Sequence, residues 1–296
     1  MDRDILENSL SNAKVSQSQD DASHVPYDKR KLSYSGTFTN PFKIYSIRAV
    51  EWSSGKIPLL RRIRKFERAG AKEGREFWAQ ALEHMGIDLL TPQEQVDNIP
   101  ATGPLIVVAN HPHGMVDGMV MAELVSRKRD DFLILTRTLI SGVKEIKKYM
   151  LPVPFPHEKD SFNNSIKMRK DAMDHLKNGG VIILFPAGVV ASSDSMFGPA
   201  IEREWNPFTA KMIQRSGAAV LPIYFPGRNT RLYMIANRIS ATLRQGLLLH
   251  EVVHALDKPQ APIVGRPLDP QDLKKWADNP RGFMKWLREH TMSLGG

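Results

Sequence analysis

The run Ala109-Asn110-His111-Pro112-His113-Gly114-Met115-Val116-Asp117-Gly118 places two imidazoles and a carboxylate within a few residues of one another. An imidazole changes charge near neutral pH, and a carboxylate bonded to one ring nitrogen fixes the tautomer, leaving the other nitrogen able to take a proton. That chemistry suits the activation of a hydroxyl for attack on a carbonyl carbon. The same residues admit a plainer role, a hydrogen-bonded loop histidine followed by Asp117 as the cap of a helix from Val116 to Lys128.

A second stretch has the same ingredients in another order. His250-Glu251-Val252-Val253-His254 fits the pattern His-Glu-x-x-His, which on a helix sets two imidazoles one turn apart for zinc and uses the Glu as base. Ala255 to Gln260 contain neither Gly nor His, so the usual extension that brings a third ligand is missing. A helix whose Glu and His residues cap, pair or face solvent is the better reading, with a zinc hydrolase kept as the alternative. Arg228, in Pro226-Gly227-Arg228-Asn229-Thr230, is a further candidate, because a guanidinium grips carboxylate or phosphate through two parallel hydrogen bonds.

These residues need elements to hold them. The run Leu105 to Val108, bounded by Gly103-Pro104 and the His/Gly cluster, reads as a buried strand ending in a loop. Beyond it, strands are expected at Phe132 to Thr136, Val181 to Phe185, Ala219 to Phe225 and near Ile263. Helices are expected at Val143 to Met150, Phe162 to Leu176, around Trp205 to Ile213, within Ser240 to Leu256, and as a pair from Gln271 to Met292. The alternation implies an α/β fold with a largely parallel sheet flanked by helices over residues 100–296, the ends of whose strands are where α/β proteins do chemistry.

Before that domain, residues 1–40 are polar and are expected to form a mobile tail. Residues 41–99 read as helical, with Pro58 dividing one stretch in two. Leu59, Leu60, Ile63 and Phe66 recur at helical spacing among Arg61, Arg62, Arg64, Lys65 and Arg68. Such a basic amphipathic helix is either a membrane-associating segment on an anionic surface or a core-docking helix with a solvated basic face.

The 296 residues carry 41 Lys and Arg against 32 Asp and Glu, a net charge of +9, and no cysteine. Disulfides, thiolate zinc sites and cysteine nucleophiles are therefore excluded, and the charge points to an acidic partner. There is no Gly-x-Ser-x-Gly elbow, Walker loop or dinucleotide fingerprint, and no nucleic-acid-binding module. Neither a signal peptide nor a run approaching ~20 apolar residues is present. The expectation is a cytoplasmic protein, peripheral on the inner face of the cell membrane.

Asn110-His111 followed by Asp117 resembles the Asn-His-x4-Asp signature of the glycerolipid and lysophospholipid acyltransferases, with one extra residue in the spacer, as in the bacterial hemolysin-like branch. Leu184-Phe185-Pro186-Ala187-Gly188-Val189 is similar to the family's Phe-Pro-Glu-Gly-Thr-Arg block, with Ala187 and Val190 in place of the Glu and Arg that hold a phosphorylated acceptor. Ala219-Val220-Leu221-Pro222-Ile223-Tyr224 resembles the fourth block. Arg137 to His157, with Lys144, Lys147 and Lys148, stands where the second block belongs but lacks its Arg pattern.

The resemblance implies an O-acyltransferase in which His111 is the base and Asp117 its partner, supported by Asn110, His113 and Gly114; His113, four residues before Asp117, competes for the same carboxylate, and the sequence leaves open which of the two histidines is the base. Phe185, Pro186, Gly188 and Arg228 would bind substrate, and backbone N–H groups around Gly114 or Gly188 would face the oxyanion. The acyl donor would be acyl-CoA or acyl carrier protein, used as co-substrate with no cofactor or metal. The acceptor would be a lysolipid hydroxyl, on lysophosphatidate or, given the substituted block, on a lyso-aminolipid. A non-catalytic lipid-binding protein is the remaining alternative.

Overall fold

The computed structural model describes residues 32–37, 39–136, 143–154, 160–195 and 198–296. Most of the expected tail, and residues 137–142 and 155–159 of the second-block region, lie outside the described residues.

Four helices come first, α1 (Pro41–Glu51), α2 (Ile57–Arg68), α3 (Glu76–Met85) and the single turn α4 (Gln93–Val96). The α/β part then runs β1 (Leu105–Ala109), α5 (Met115–Ser126), β2 (Phe132–Thr136), β3 (Met150–Pro152), α6 (Ser161–Lys177), β4 (Val181–Leu184), α7 (Pro207–Ser216) and β5 (Ala219–Tyr224). It continues through α8 (Arg231–Ile239), α9 (Ala241–Gly246), α10 (Leu248–Ala255), β6 (Ile263–Val264), α11 (Pro270–Leu273) and α12 (Pro280–Met292).

The strands form one sheet in the order β3-β2-β4-β1-β5-β6, parallel throughout except for the short antiparallel edge β6. The expected α/β fold with a largely parallel sheet is therefore what the chain adopts. Leu105, Val107 and Ala109 point into one apolar core with Val181, Ile183, Leu221 and Ile223, whereas Ile106 and Val108 enter a second with Ile182, Leu184 and Val220. Successive side chains on a strand face opposite ways, so a sheet covered on both faces needs apolar residues at every position. That is why these strands read as unbroken hydrophobic runs. Residues of α3, α5 and α10 fill the first core, and those of α6, α7 and α12 fill the second.

β1 lies between β4 and β5, and the chain turns toward β2 and β4 on one side before returning to β5 on the other. The carboxyl ends of β1 and β5 thus border a topological switch point, where open α/β sheets place their ligands.

Several expectations change in the structure. The expected helix Val143 to Met150 is a 3₁₀ turn, Lys144–Tyr149, feeding the short strand β3. Because β3 runs parallel to β2, β4 and β1, Lys144, Lys147 and Lys148, which precede it, sit by the amino ends of the strands, away from the carboxyl end of β1. The stretch after β5 forms an unanticipated helix, α8, begun by Thr230, whose hydroxyl accepts the Tyr233 N–H. The tail is docked from Leu32 onward: Leu32 is buried, and the Ser33 hydroxyl and Tyr34 N–H both donate to the buried Glu51, each at 2.6 Å.

Pro58 does not divide α1 from α2. A widened π turn, Trp52–Lys56, carries one into the other with Pro58 in the first turn of α2, and the Ser54 carbonyl four residues back, which a proline cannot serve, meets His250 Nδ1 at 3.0 Å. The apolar stripe of α2 faces inward: Leu59 and Leu60 are buried, and Ile63 and Phe66 pack on the first core. Arg62 donates to Asp257 at 2.7 Å and to the His84 carbonyl at 3.0 Å. Docking this stripe removes more apolar area from water than leaving it free, so the apolar side of α2 is a core-docking one, with Arg61, Arg64, Lys65 and Arg68 left exposed on its other side.

Candidate active site

The site is built where β1 ends. Asn110 extends the β1/β5 ladder by one rung with its side chain, its Nδ2 donating to the Phe225 carbonyl at 2.9 Å and its Oδ1 accepting the Phe225 N–H at 2.7 Å. His111 follows, and Gly114 turns the chain into α5 with φ +77°, a conformation a side chain would strain. Asp117, in the first turn of α5, is not the residue that starts the helix. It reaches back from there, and its Oδ2 accepts the Gly114 N–H at 3.1 Å and the His113 N–H at 2.8 Å.

Both imidazoles converge on this fully buried carboxylate. His111 Nδ1 lies 3.0 Å from Oδ2, and His113 Nδ1 lies 3.0 Å from Oδ1. Burial alone would push the Asp117 carboxyl up, but the hydrogen bonds and charges of His111 and His113 outweigh it and hold the group below its usual value. Burial pulls His113 down, yet the hydrogen bond and charge of Asp117, with the charge of Glu251 beyond, raise it above its usual value. The His111 ring stacks on Phe185, centroids 3.8 Å apart and planes 19° from parallel. With Nδ1–H given to Asp117, its Nε2 presents a lone pair, and among the described residues it has no hydrogen-bond partner.

The main chain of His111 is held as firmly as its ring. Its N–H donates to Oε2 of Glu202 at 3.1 Å, and its carbonyl accepts the Ala191 N–H at 2.8 Å. Glu202, Trp205 and Ala191 all belong to the excursion between β4 and α7. The sequence marks Trp205 only as part of a helical face and gives no signal for the other two: Glu202 stands 91 residues from His111 on a connection with no periodic pattern.

The remaining candidates fall into two groups. Phe185, the residue after β4, stacks on His111 with Pro186 next in the chain, and Arg228 follows β5 on the neighbouring loop, exposed to solvent. Gly227 (φ +97°) brings that loop so close that a Cβ there would lie 2.9 Å from His113 Nε2. Asn229, next along, is buried, and its Nδ2 has no hydrogen-bond partner among the described residues. Gly114 and Gly188 are not free to face an oxyanion through their own N–H groups, because the first donates to Asp117 and the second closes a turn on the Phe185 carbonyl at 2.9 Å. Asn229 thus brings a buried donor without a partner to the loop whose Gly227 meets His113.

The His-Glu-x-x-His helix turns out otherwise. Glu251 is buried and bound to Thr230, accepting its N–H at 2.7 Å and its hydroxyl at 2.5 Å. His250 Nδ1 meets the Ser54 carbonyl at 3.0 Å, and His254 Nε2 meets Lys258 Nζ at 3.0 Å on the exposed face. These three side chains serve three different neighbours, and among the described residues no group of three His, Asp or Glu could hold a metal ion.

A buried carboxylate aligning an imidazole with an open Nε2, at the switch point of a parallel sheet, is equipped for proton removal from a nucleophile in group transfer. A family model described as Acyltransferase matches residues 64–260, well over half of the chain, so the chain belongs to this family and is an acyltransferase. It is 27% identical over 235 residues to a lyso-glycine lipid O-acyltransferase of Bacteroides thetaiotaomicron, across 75% of this chain and 81% of that one. A lyso-glycine lipid O-acyltransferase of Phocaeicola vulgatus is 24% identical over 230 residues, across 75% and 79% of the two chains. Among solved structures, the 1-acyl-sn-glycerophosphate acyltransferase PlsC of Thermotoga maritima aligns over 75% of this chain and 78% of its own at 16% identity, with a TM-score of 0.48.

Proposed function

We propose that this acyltransferase moves a fatty acyl group from an acyl-CoA or acyl carrier protein thioester to the hydroxyl of a lysolipid, and that the acceptor is a lyso-aminolipid of the glycine-lipid kind. The observation that carries the reading is the His111–Asp117 pair with its open Nε2. His111 Nε2 takes the hydroxyl proton as the oxygen bonds to the thioester carbonyl carbon. Asp117 steadies the imidazolium, the C–S bond breaks, and the proton passes to the departing thiolate. Positioned proton transfer of this sort contributes about 10²–10⁴-fold to a rate.

The aminolipid acceptor rests on Ala187 and Val190, which replace the phosphate-holding Glu and Arg of the resembling families, and on the two relatives named for lyso-glycine lipid. Arg228 and Asn229 would meet the polar end of that acceptor. Purified protein offered lyso-glycine lipid and lysophosphatidate in mixed vesicles, with each thioester in turn, tests both parts. Diacylated glycine lipid should dominate, and preference for lysophosphatidate would defeat the acceptor assignment.

The protein would work as a peripheral enzyme on the inner face of the cell membrane. Among the described residues no helix is long and apolar enough to cross a bilayer. The face suited to lying on one is not α2 but α1, where Phe42 and Tyr45 are 80% and 69% exposed, together with Trp52 of the π turn. Leu232 and Ile239 are exposed on α8, and α1 and α8 both pack against α9. Aromatic side chains beside Lys43 and Arg48 combine apolar insertion with attraction to anionic lipid. Replacing Phe42, Tyr45 and Trp52 together by Ser should release the protein from anionic vesicles in sedimentation, and unchanged sedimentation would remove this face from the proposal.

A further inference from the structure

Asp117 is not the only carboxylate on His111. Glu202, 7% exposed, accepts two N–H donors on two different oxygens: His111 N–H on Oε2 at 3.1 Å and Trp205 Nε1–H on Oε1 at 2.9 Å. The nearby guanidinium groups leave it alone. Arg203 serves Ser192 and Asp194, and Arg288 donates to the backbone carbonyl of Glu202, not to its carboxylate. The charged groups that act on it are His111 and Asp117, and burial pushes its carboxyl above the usual range. A buried carboxylate with no cation of its own is costly, and one kept beside a proton-transfer residue calls for a reason other than stability.

We propose that Glu202 is a positioning residue for acyl transfer: ionised, it fixes the main chain of His111 so that Nε2 keeps its aim at the acceptor hydroxyl. The inference rests on the acyl-transfer reading above. Two donors approach two separate oxygens, which an ionised carboxylate satisfies and a Gln amide does not, because its NH₂ would be set against one of the N–H groups. The carboxylate also completes a clasp. The excursion between β4 and α7 closes on itself through the Ser192–Ile201 pair and the Asn206 N–H to Pro186 carbonyl bond, and it holds His111 through the Ala191 N–H as well. Ring and backbone of one histidine are thus held separately, by α5 through Asp117 and by the clasp through Glu202. When Nε2 takes a proton, the new positive charge forms within reach of both carboxylates.

The test compares wild type, E202Q, W205F and the E202Q/W205F double variant, with thermal midpoints recorded alongside kcat and KM. E202Q is expected to lower kcat about 10- to 100-fold with the acceptor KM unchanged, since small misplacement of a reacting group costs rates of this order. W205F, which leaves the Glu202 carboxylate free to accept the His111 N–H, should lower kcat less than E202Q does. The double variant should recover most of the loss, because with the indole donor gone the Gln carbonyl can turn to the His111 N–H while its NH₂ meets no donor. In the protein without substrate, the His111 amide proton resonance should follow the titration of Glu202 and lose that dependence in E202Q. Wild-type kcat in E202Q, no recovery in the double variant, or a His111 amide indifferent to residue 202 would each overturn the proposal. A wild-type protein inert toward every lysolipid would instead defeat the acyl-transfer reading, and the amide measurement, which needs no substrate, tells the two failures apart.

Discussion

The loop after β1 and the helix α10 carry the same three groups, two imidazoles and a carboxylate, yet only one of them gathers those groups together. On α10, Glu251 follows directly after His250 and points elsewhere, into the fold toward Thr230, while His254 looks outward to Lys258. In the loop, a positive-φ glycine and the first turn of α5 bend the chain back until both Nδ1 atoms lie 3.0 Å from the oxygens of one carboxylate. Residue content is equal in the two places. What differs is backbone curvature, and curvature decides whether the groups share one partner or serve three.

That contrast can be broken by substitution. His111→Ala should lower kcat for acyl transfer about 10²–10⁴-fold with little change in fold, whereas His250→Ala and His254→Ala should leave the rate near wild type. A rate abolished by a chelator and restored by zinc would invert the comparison. Glu251→Ala is expected to act on stability, by about 2 kcal/mol, because it strands the Thr230 N–H and hydroxyl inside the protein; a denaturant midpoint that does not move would contradict the role given to Glu251.

The two sites should also part company with pH. His113 is held above its ordinary value, so its share of stability is fully present below the unfolded value of about 6.5 and is lost as pH rises through the raised folded value. Wild type should therefore gain stability over His113→Gln as pH falls from about 8 to about 6, and a constant difference across that range would show that Asp117 does not favour the imidazolium. The smallest effect is expected at His254, where replacement by Ala should stay within about 0.5 kcal/mol, as at other exposed positions.

The sheet was legible because both its faces are covered, which leaves β1, β4 and β5 as continuous apolar runs flanked by Gly and Pro. His111, His113 and Asp117 were legible for a related reason: they are close in sequence and sit at a strand end. Partners brought in from afar left no such mark. Glu202 lies on an irregular connection, and Asn229 reads as one more polar loop residue until its burial is seen. The basic stripe of α2 carried a real signal with two outcomes, and the choice between docking and membrane contact depended on the core surface available to Leu59, Leu60, Ile63 and Phe66. Gly114 and Gly188 illustrate a different limit. Sequence marks a glycine as a place where backbone N–H groups can approach a ligand, but not whether a carboxylate or carbonyl has already claimed them.

The bridge between Asn110 and Phe225 has one more consequence. By pairing the two strand ends with what amounts to a borrowed peptide group, it ties the segment bearing His111 to the segment bearing Arg228 and Asn229. On the proposed function, replacing Arg228 should alter acceptor preference while leaving the His111–Asp117 geometry in place.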